Sequence, residues 1–256
     1  MRAVPGGLIA TGLRGAMGQP GCPICRLRDD AERRYLRSLL WENVNDPTTR
    51  DWIRRSMGFC PRHTWQMGRM EVEAFGSALG NSIIYEDLVG MVRRQLAHYV
   101  RRTDANRRSI WRRWLGPFLG CSWMPKKAQL QSEAACRVCQ IGLQTEASHV
   151  RWLLGGLSNV ESAFCEWYRE SSRLCLRHLD QALMSPRPET QPGVMFLAQD
   201  AEGYLERLEA DLGGFGDKHS WDRRHEPMTE AEKVSWLRAL AFFGGNERNH
   251  NGRCGM

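Results

Sequence analysis

Two runs of the same form constrain this chain more than any other feature. The first is C-P-I-C at Cys22 and Cys25, followed after 34 residues by C-P-R-H at Cys60 and His63. The second is C-R-V-C at Cys136 and Cys139, followed after 35 residues by C-L-R-H at Cys175 and His178. The four positions are displaced from one run to the other by 114, 114, 115 and 115 residues. Near-constancy over four positions indicates an internal repeat. CxxC brings two sulfurs to one side of a turn, and CxxH does the same for one sulfur and one imidazole. Three thiolates and a neutral nitrogen suit a tetrahedral zinc ion, and four protein ligands leave no open position, so such a site is structural. Within each run the reading is therefore one closed Cys3His zinc site, two ions in all. A redox CxxC pair and an iron–sulfur cluster are the lesser alternatives. Haem attachment is disfavoured because Arg26 and Gln140 stand where CxxCH needs histidine.

The chain between the ligands reads as helix. Tyr35, Leu36, Leu39 and Leu40 share a face, Asn45-Asp46-Pro47 ends that helix, and Asp46 and Pro47 cap and start the next. Val150, Leu153, Leu154 and Leu157 repeat the pattern in the second half. Each ligand gap is thus expected to be a helical hairpin whose open end is pinned by metal. A long amphipathic helix follows each hairpin. The first carries Ile84, Leu88, Met91, Val92, Leu96, Tyr99 and Val100. The second carries Leu197, Ala201, Tyr204, Leu205, Leu208 and Leu212. Asp87 aligns with Asp200 and Gly90 with Gly203. The expected fold is all-α: two repeated helical-hairpin units, each clamped by a Cys3His zinc site and followed by a long amphipathic helix.

These elements set the expected organisation. A flexible leader covers residues 1–20, the first unit 21–103, a basic Trp-rich linker 104–132 and the second unit 133–216. A C-terminal helix segment covers 217–245 and a disordered tail 246–256. In the helix segment, Thr229 and Glu232 form a capping box, with Trp236, Leu237, Leu240 and Phe243 as the buried side. His219, Asp222, His225 and Glu226 lie close enough in sequence to suggest a small acid–base or metal cluster, but their spacing fits no template, and a packed tail is the reading preferred.

Composition narrows the function. The apolar share of 42% supports a packed core. No apolar run reaches the length of a membrane span, and the N-terminal stretch is broken by Gly, Pro and Arg14 before it forms a signal sequence. A cytoplasmic protein is expected, in which nine cysteines point to metal or redox chemistry rather than disulfides. The formal charge of +7 is concentrated. Between Arg101 and Lys127, eight basic residues face Asp104 alone. That segment interleaves arginines with Trp111, Trp114, Phe118 and Trp123, which suits nucleic acid or an anionic membrane surface, although a connecting loop whose aromatics tuck back onto the core is the reading preferred. Arg26, Arg62, Arg137 and Arg177 each adjoin a ligand, and either balance the negative charge of the site or are solvated. Cys121, Cys165 and Cys254 have no partner at ligand spacing, and Cys165 is expected to be buried.

The segments GCPICRLRDDAERRYLRSLLWENVNDP, GFCPRHTWQM, CRVC and CLRH, with Trp221-Asp222-Arg223 and Glu226-Pro227, resemble an uncharacterised bacterial family of unknown function. The resemblance spans most of Gly21 to Gly245. It implies a shared fold and shared ligands at Cys22, Cys25, Cys60, His63, Cys136, Cys139, Cys175 and His178, and no activity. The sequence holds no catalytic signature. The leading expectation is a binding or scaffolding module with structural metal sites and an unknown protein partner. A nucleic-acid-binding regulator acting through residues 101–127 is the first rival. A redox protein or other enzyme is the second.

Overall fold

The computed structural model describes residues 8–108, 130, 132–159, 162–184 and 187–246, with the backbone alone at 8 and 102–108. Among these residues every regular element is a helix. In chain order they are α1 (Leu8–Met17), α2 (Pro23–Ser38), α3 (Pro47–Arg55), α4 (Pro61–Phe75), α5 (Leu79–Arg108), α6 (Arg137–Leu157), α7 (Ala163–Glu170), α8 (Leu176–Leu183), α9 (Gln191–Asp217), α10 (Glu230–Lys233) and α11 (Ser235–Gly244). A π-helical turn, Leu39–Asn43, extends α2, and a 3-10 turn, Pro188–Thr190, precedes α9.

The caps follow from local chemistry. Asp46 accepts from the Thr49 N–H at 2.7 Å and Pro47 takes the first position of α3, where no N–H is needed. Gly76, at φ +62°, ends α4 in the left-handed conformation that glycine adopts without strain. Thr229 and Glu232 exchange side-chain and backbone hydrogen bonds at the start of α10, the capping box read from the sequence.

The chain forms two compact units. The first joins the residues up to Arg33 to those from Ile141 onward. Its core combines Leu13, Met17 and Ile24 with Leu153, Leu157, Phe164, Tyr168 and Leu197. The second runs from Arg34 to Gln140, with Leu36, Leu39, Ile53, Met67, Ile84 and Val138 inside. These units cut across the expected division into 21–103 and 133–216, because α2 and α6 each begin in one unit and end in the other.

Three further expectations are corrected. Residues 8–17, assigned to a leader, form α1, and Leu13, Ala16 and Met17 are buried because they line one face of it. The buried side of α11 is Ser235 and Phe242, while Trp236, Leu237, Leu240 and Phe243 are 46–69% exposed. A helix with apolar residues nearly all round has no unique face in its sequence, and packing selects one. The stripe on α5 is buried at Ile84 and Leu88 but exposed at Leu96 and Val100. By contrast Val150, Leu153, Leu154, Leu157 and Leu197 are buried as the period requires, and so is Cys165. Linker residues 109–129, with Cys121 and Cys254, lie outside the described residues.

Candidate metal centres

All eight sequence-predicted ligands come together, but in crossed groups. Cys22, Cys25, Cys175 and His178 form one cluster, and Cys60, His63, Cys136 and Cys139 form the other. Within each cluster the donor atoms lie within 4.8 Å of one another. Each CxxC pair thus meets the CxxH pair of the other run, which corrects the expected hairpin clamp.

Helix lengths explain the crossing. The α2 helix and its π turn carry 16 and 5 residues, which take the chain about 30 Å away from Cys25 at about 1.5 Å per residue. The returning helix α3 has 9 residues and recovers less than half of that. The second run repeats the imbalance, with 21 residues in α6 against 8 in α7. Unequal arms bias each hairpin against closing its own open end.

The two CxxH knuckles are built alike. Ser56 and Ser171 end the preceding helices, their N–H groups donating to the carbonyls of Trp52 and Trp167. Two residues before the cysteine the backbone turns left-handed, at Gly58 (φ +92°) and Arg173 (φ +62°). Arg173 adopts this conformation against its ordinary preference, and its guanidinium is held by Asp200 at 2.8 Å. Cys60 and Cys175 are then N-caps in extended conformation, starting α4 and α8. Each CxxH histidine lies one turn into its helix, on the side of the cysteine.

Distances fit a tetrahedral ion. In the first cluster His178 Nδ1 lies 3.4, 3.4 and 3.2 Å from the sulfurs of Cys22, Cys25 and Cys175, and Cys25 Sγ lies 3.7 Å from Cys175 Sγ. In the second His63 Nδ1 lies 3.2, 3.5 and 3.3 Å from Cys60, Cys136 and Cys139, and Cys60 Sγ lies 3.6 Å from Cys139 Sγ. Zinc bonds of about 2.3 Å to sulfur and about 2.0 Å to nitrogen give tetrahedral edges of about 3.8 Å for S···S and about 3.5 Å for S···N. All seven cysteines in the described residues are free thiols.

The thiols are electrically uneven. Hydrogen bonds from the thiols of Cys22 and Cys25, with the N–H groups at the start of α8, bring Cys175 down to about 3 against the cost of burial. Burial pushes Cys22 well up, and its two sulfur neighbours add to this. In the other cluster burial opposes ionisation of Cys136, but the hydrogen bond to His63 and nearby backbone N–H groups win and bring it to about 6. Burial and the charge on Cys136 push Cys139 up to about 12. Each cluster thus holds a thiolate ready near neutral pH, and a bound cation would deprotonate the others.

Around the first cluster is a buried charged network that the sequence reading missed. His178 Nε2 donates to Glu146 at 3.1 Å, which leaves Nδ1 with its lone pair facing the sulfurs. Glu146 also accepts from Arg28 at 2.7 Å and from Arg177 at 2.8 Å, and Arg28 reaches Glu32 at 2.8 Å. Burial disfavours the Glu146 carboxylate, yet His178, Arg28 and Arg177 hold it below the usual range. Of the four arginines adjoining ligands, Arg177 therefore joins a site through Glu146. Arg26 instead donates to the Pro20 carbonyl and Arg137 to Gln140. One signal was available: Glu32 and Glu146 stand 114 residues apart, the offset of the CxxC pairs.

The C-terminal end of α11 seals this cluster. Gly245, at φ +75°, lies so close that a Cβ there would sit 3.1 Å from Cys25 Sγ and 3.7 Å from Cys175 Sγ. Asn246 donates to the Cys22 carbonyl at 3.1 Å, although the sequence placed it in a disordered tail. The polar group near the C terminus behaves differently. His219 hydrogen-bonds the Phe215 carbonyl at 2.7 Å and Glu226 pairs with Arg223 at 2.9 Å. His219, Asp222, His225 and Glu226 do not converge as a cluster of metal donors.

The comparisons with known proteins give a family and no activity. A family of unknown function, DUF6062, matches residues 16–250. An uncharacterised 23.9 kDa protein encoded in the xynA 3′ region of Caldicellulosiruptor sp. (strain Rt8B.4) is 24% identical over 229 residues. That alignment covers 88% of this chain and 96% of the relative. No solved structure matches.

Proposed function

Because the chain belongs to DUF6062, whose function is unknown, its role must be read from its own sites, and we propose that it is a metal-stabilised binding or scaffolding module holding two structural zinc ions. The observation that carries this reading is the pair of closed Cys3His donor sets with tetrahedral edge lengths. Three thiolates select a borderline-soft cation, and a complete set of protein donors leaves no position for substrate. The residues act structurally. Cys22 and Cys25 tie the start of α2 to the start of α8 through Cys175 and His178. Cys60 and His63 tie the start of α4 to the start of α6 through Cys136 and Cys139. Glu146 fixes the imidazole of His178 and offsets the cations around it. No helix among the described residues is long and apolar enough to cross a membrane.

Elemental analysis of protein purified without a metal-affinity tag tests the reading. The expected result is two zinc ions per chain in a colourless protein. Iron with absorbance near 400 nm, or sulfurs found oxidised in pairs in native material, overturns it.

A further inference from the structure

The second unit carries an aromatic and cationic surface that its metal site does not use. By sequence, residues 34–140 hold 18 Lys and Arg against 9 Asp and Glu, a net +9, of which +7 lies between Arg101 and Lys127 and +2 in the rest of the unit. The rest of the chain holds 18 against 20, a net −2, so the basic excess belongs to this unit.

Within it, two helices display exposed stripes of one kind. On α4, Arg62, Trp65, Arg69 and Val72 recur every three or four residues, the spacing of one helix face. Trp65 is 69% exposed and Arg69 is exposed. On α2, Arg34, Arg37 and the π-turn residue Trp41 are exposed, Trp41 to 70%. The Trp41 ring stacks on Phe75 at the end of α4, with centroids 5.5 Å apart, which brings the C-terminal ends of the two stripes together. Among the described residues none of Arg34, Arg37 and Arg69 is in an ion pair. Glu42 and Glu73 are the exposed carboxylates beside the aromatic ends of the stripes.

Two features set this apart from an ordinary solvated face. Tryptophan is a large apolar residue, and leaving two of them mostly in water is costly for a surface with no partner. The π turn also shifts the helical register at Trp41, and such turns concentrate at functional sites. Exposed indoles alternating with guanidinium groups match a flexible polyanion with planar bases, since the arginines meet phosphates and the indoles stack on bases. An apolar protein surface would use the indoles but not the arginines.

We propose that the surface formed by Arg34, Arg37, Trp41, Arg62, Trp65 and Arg69 binds single-stranded nucleic acid. The proposal rests on reading the chain as a binding module, and names the class of partner. Affinity then comes from phosphate contacts and falls with salt, while stacking is tolerant of sequence.

Fluorescence anisotropy of a labelled single-stranded oligothymidylate with the full-length protein, across a salt series, tests this. Binding is expected at low salt, weakened about tenfold or more by combining Trp41→Ala with Trp65→Ala. Arg37→Glu with Arg69→Glu should weaken it and flatten the salt dependence. Absence of binding at low salt overturns the proposal. So does binding that survives both double variants but is lost on Arg112→Ala with Arg113→Ala, which places it in the linker. Equal binding of polyglutamate, insensitive to the tryptophan changes, also overturns it. Circular dichroism and zinc content of each variant establish that the fold is kept. Two zinc ions without binding refutes the nucleic-acid surface alone, whereas binding without metal refutes the structural-zinc reading alone.

Discussion

The two candidate metal centres use the same donor types, one CxxC pair and one CxxH pair, in opposite chain order, and live in different surroundings. Cys22, Cys25, Cys175 and His178 are all buried, whereas Cys60, Cys136 and Cys139 are partly exposed and only His63 of that group is buried. The first is braced by Glu146 and closed over by Gly245 and Asn246. Ligand chemistry alone would make the two equivalent. Their difference shows that packing, not donor type, sets how exposed the donors of each cluster are.

The largest test of this comparison is ligand removal. Cys175→Ser should release one zinc and unfold much of the first unit, since structural zinc contributes about 10–16 kcal/mol of apparent binding energy. Alkylation followed by mass spectrometry should then label Cys22 and Cys25 while Cys136 and Cys139 stay protected. Labelling of Cys136 and Cys139 instead would restore the uncrossed arrangement.

Glu146→Gln comes next. It should weaken metal at the first centre about 10–100-fold and leave the second unchanged, read by competition with a chromogenic chelator. Equal weakening at both centres would mean that Glu146 does not act through His178. In the unaltered protein, the same chelator should remove zinc in two phases, with Cys60, Cys136 and Cys139 becoming alkylated first. Simultaneous release would mean that the two clusters are equally accessible. Gly245→Val should narrow the gap between the phases. It places a β-branched side chain at positive φ against two sulfurs, costing about 1–3 kcal/mol.

The smallest effect concerns the frame around the second centre. Asp87 receives a hydrogen bond from Arg54 at 2.7 Å, with Arg50 at 3.4 Å, and this holds its carboxyl below the usual range. A lowered folded-state value contributes stability above the unfolded-state value near 3.8, which is lost as pH falls through the folded value. Asp87→Asn should therefore cost about 0.2–1 kcal/mol at neutral pH and nothing in strong acid, measured by denaturant unfolding.

The helical class, the caps at Asp46 and Thr229 and all eight donor residues were legible in the sequence, because each depends on residue type and short-range spacing. CxxC and CxxH pairs are local devices: one turn of chain brings both donors to one side whatever the rest does. The stripes at Leu36–Leu40 and Val150–Leu157 were legible for the same reason, since helical period and burial agree there.

What lay beyond the sequence was the partner of each pair. Four two-donor devices can combine in more than one way, and the choice falls to helix length, which sends α2 and α6 far from where they begin. Glu146 and Gly245 escaped notice likewise, since burial of a carboxylate or contact of a glycine with sulfur exists only after distant segments have met. The donors were therefore fixed by local chemistry, and their crossing by the reach of rigid helices between them.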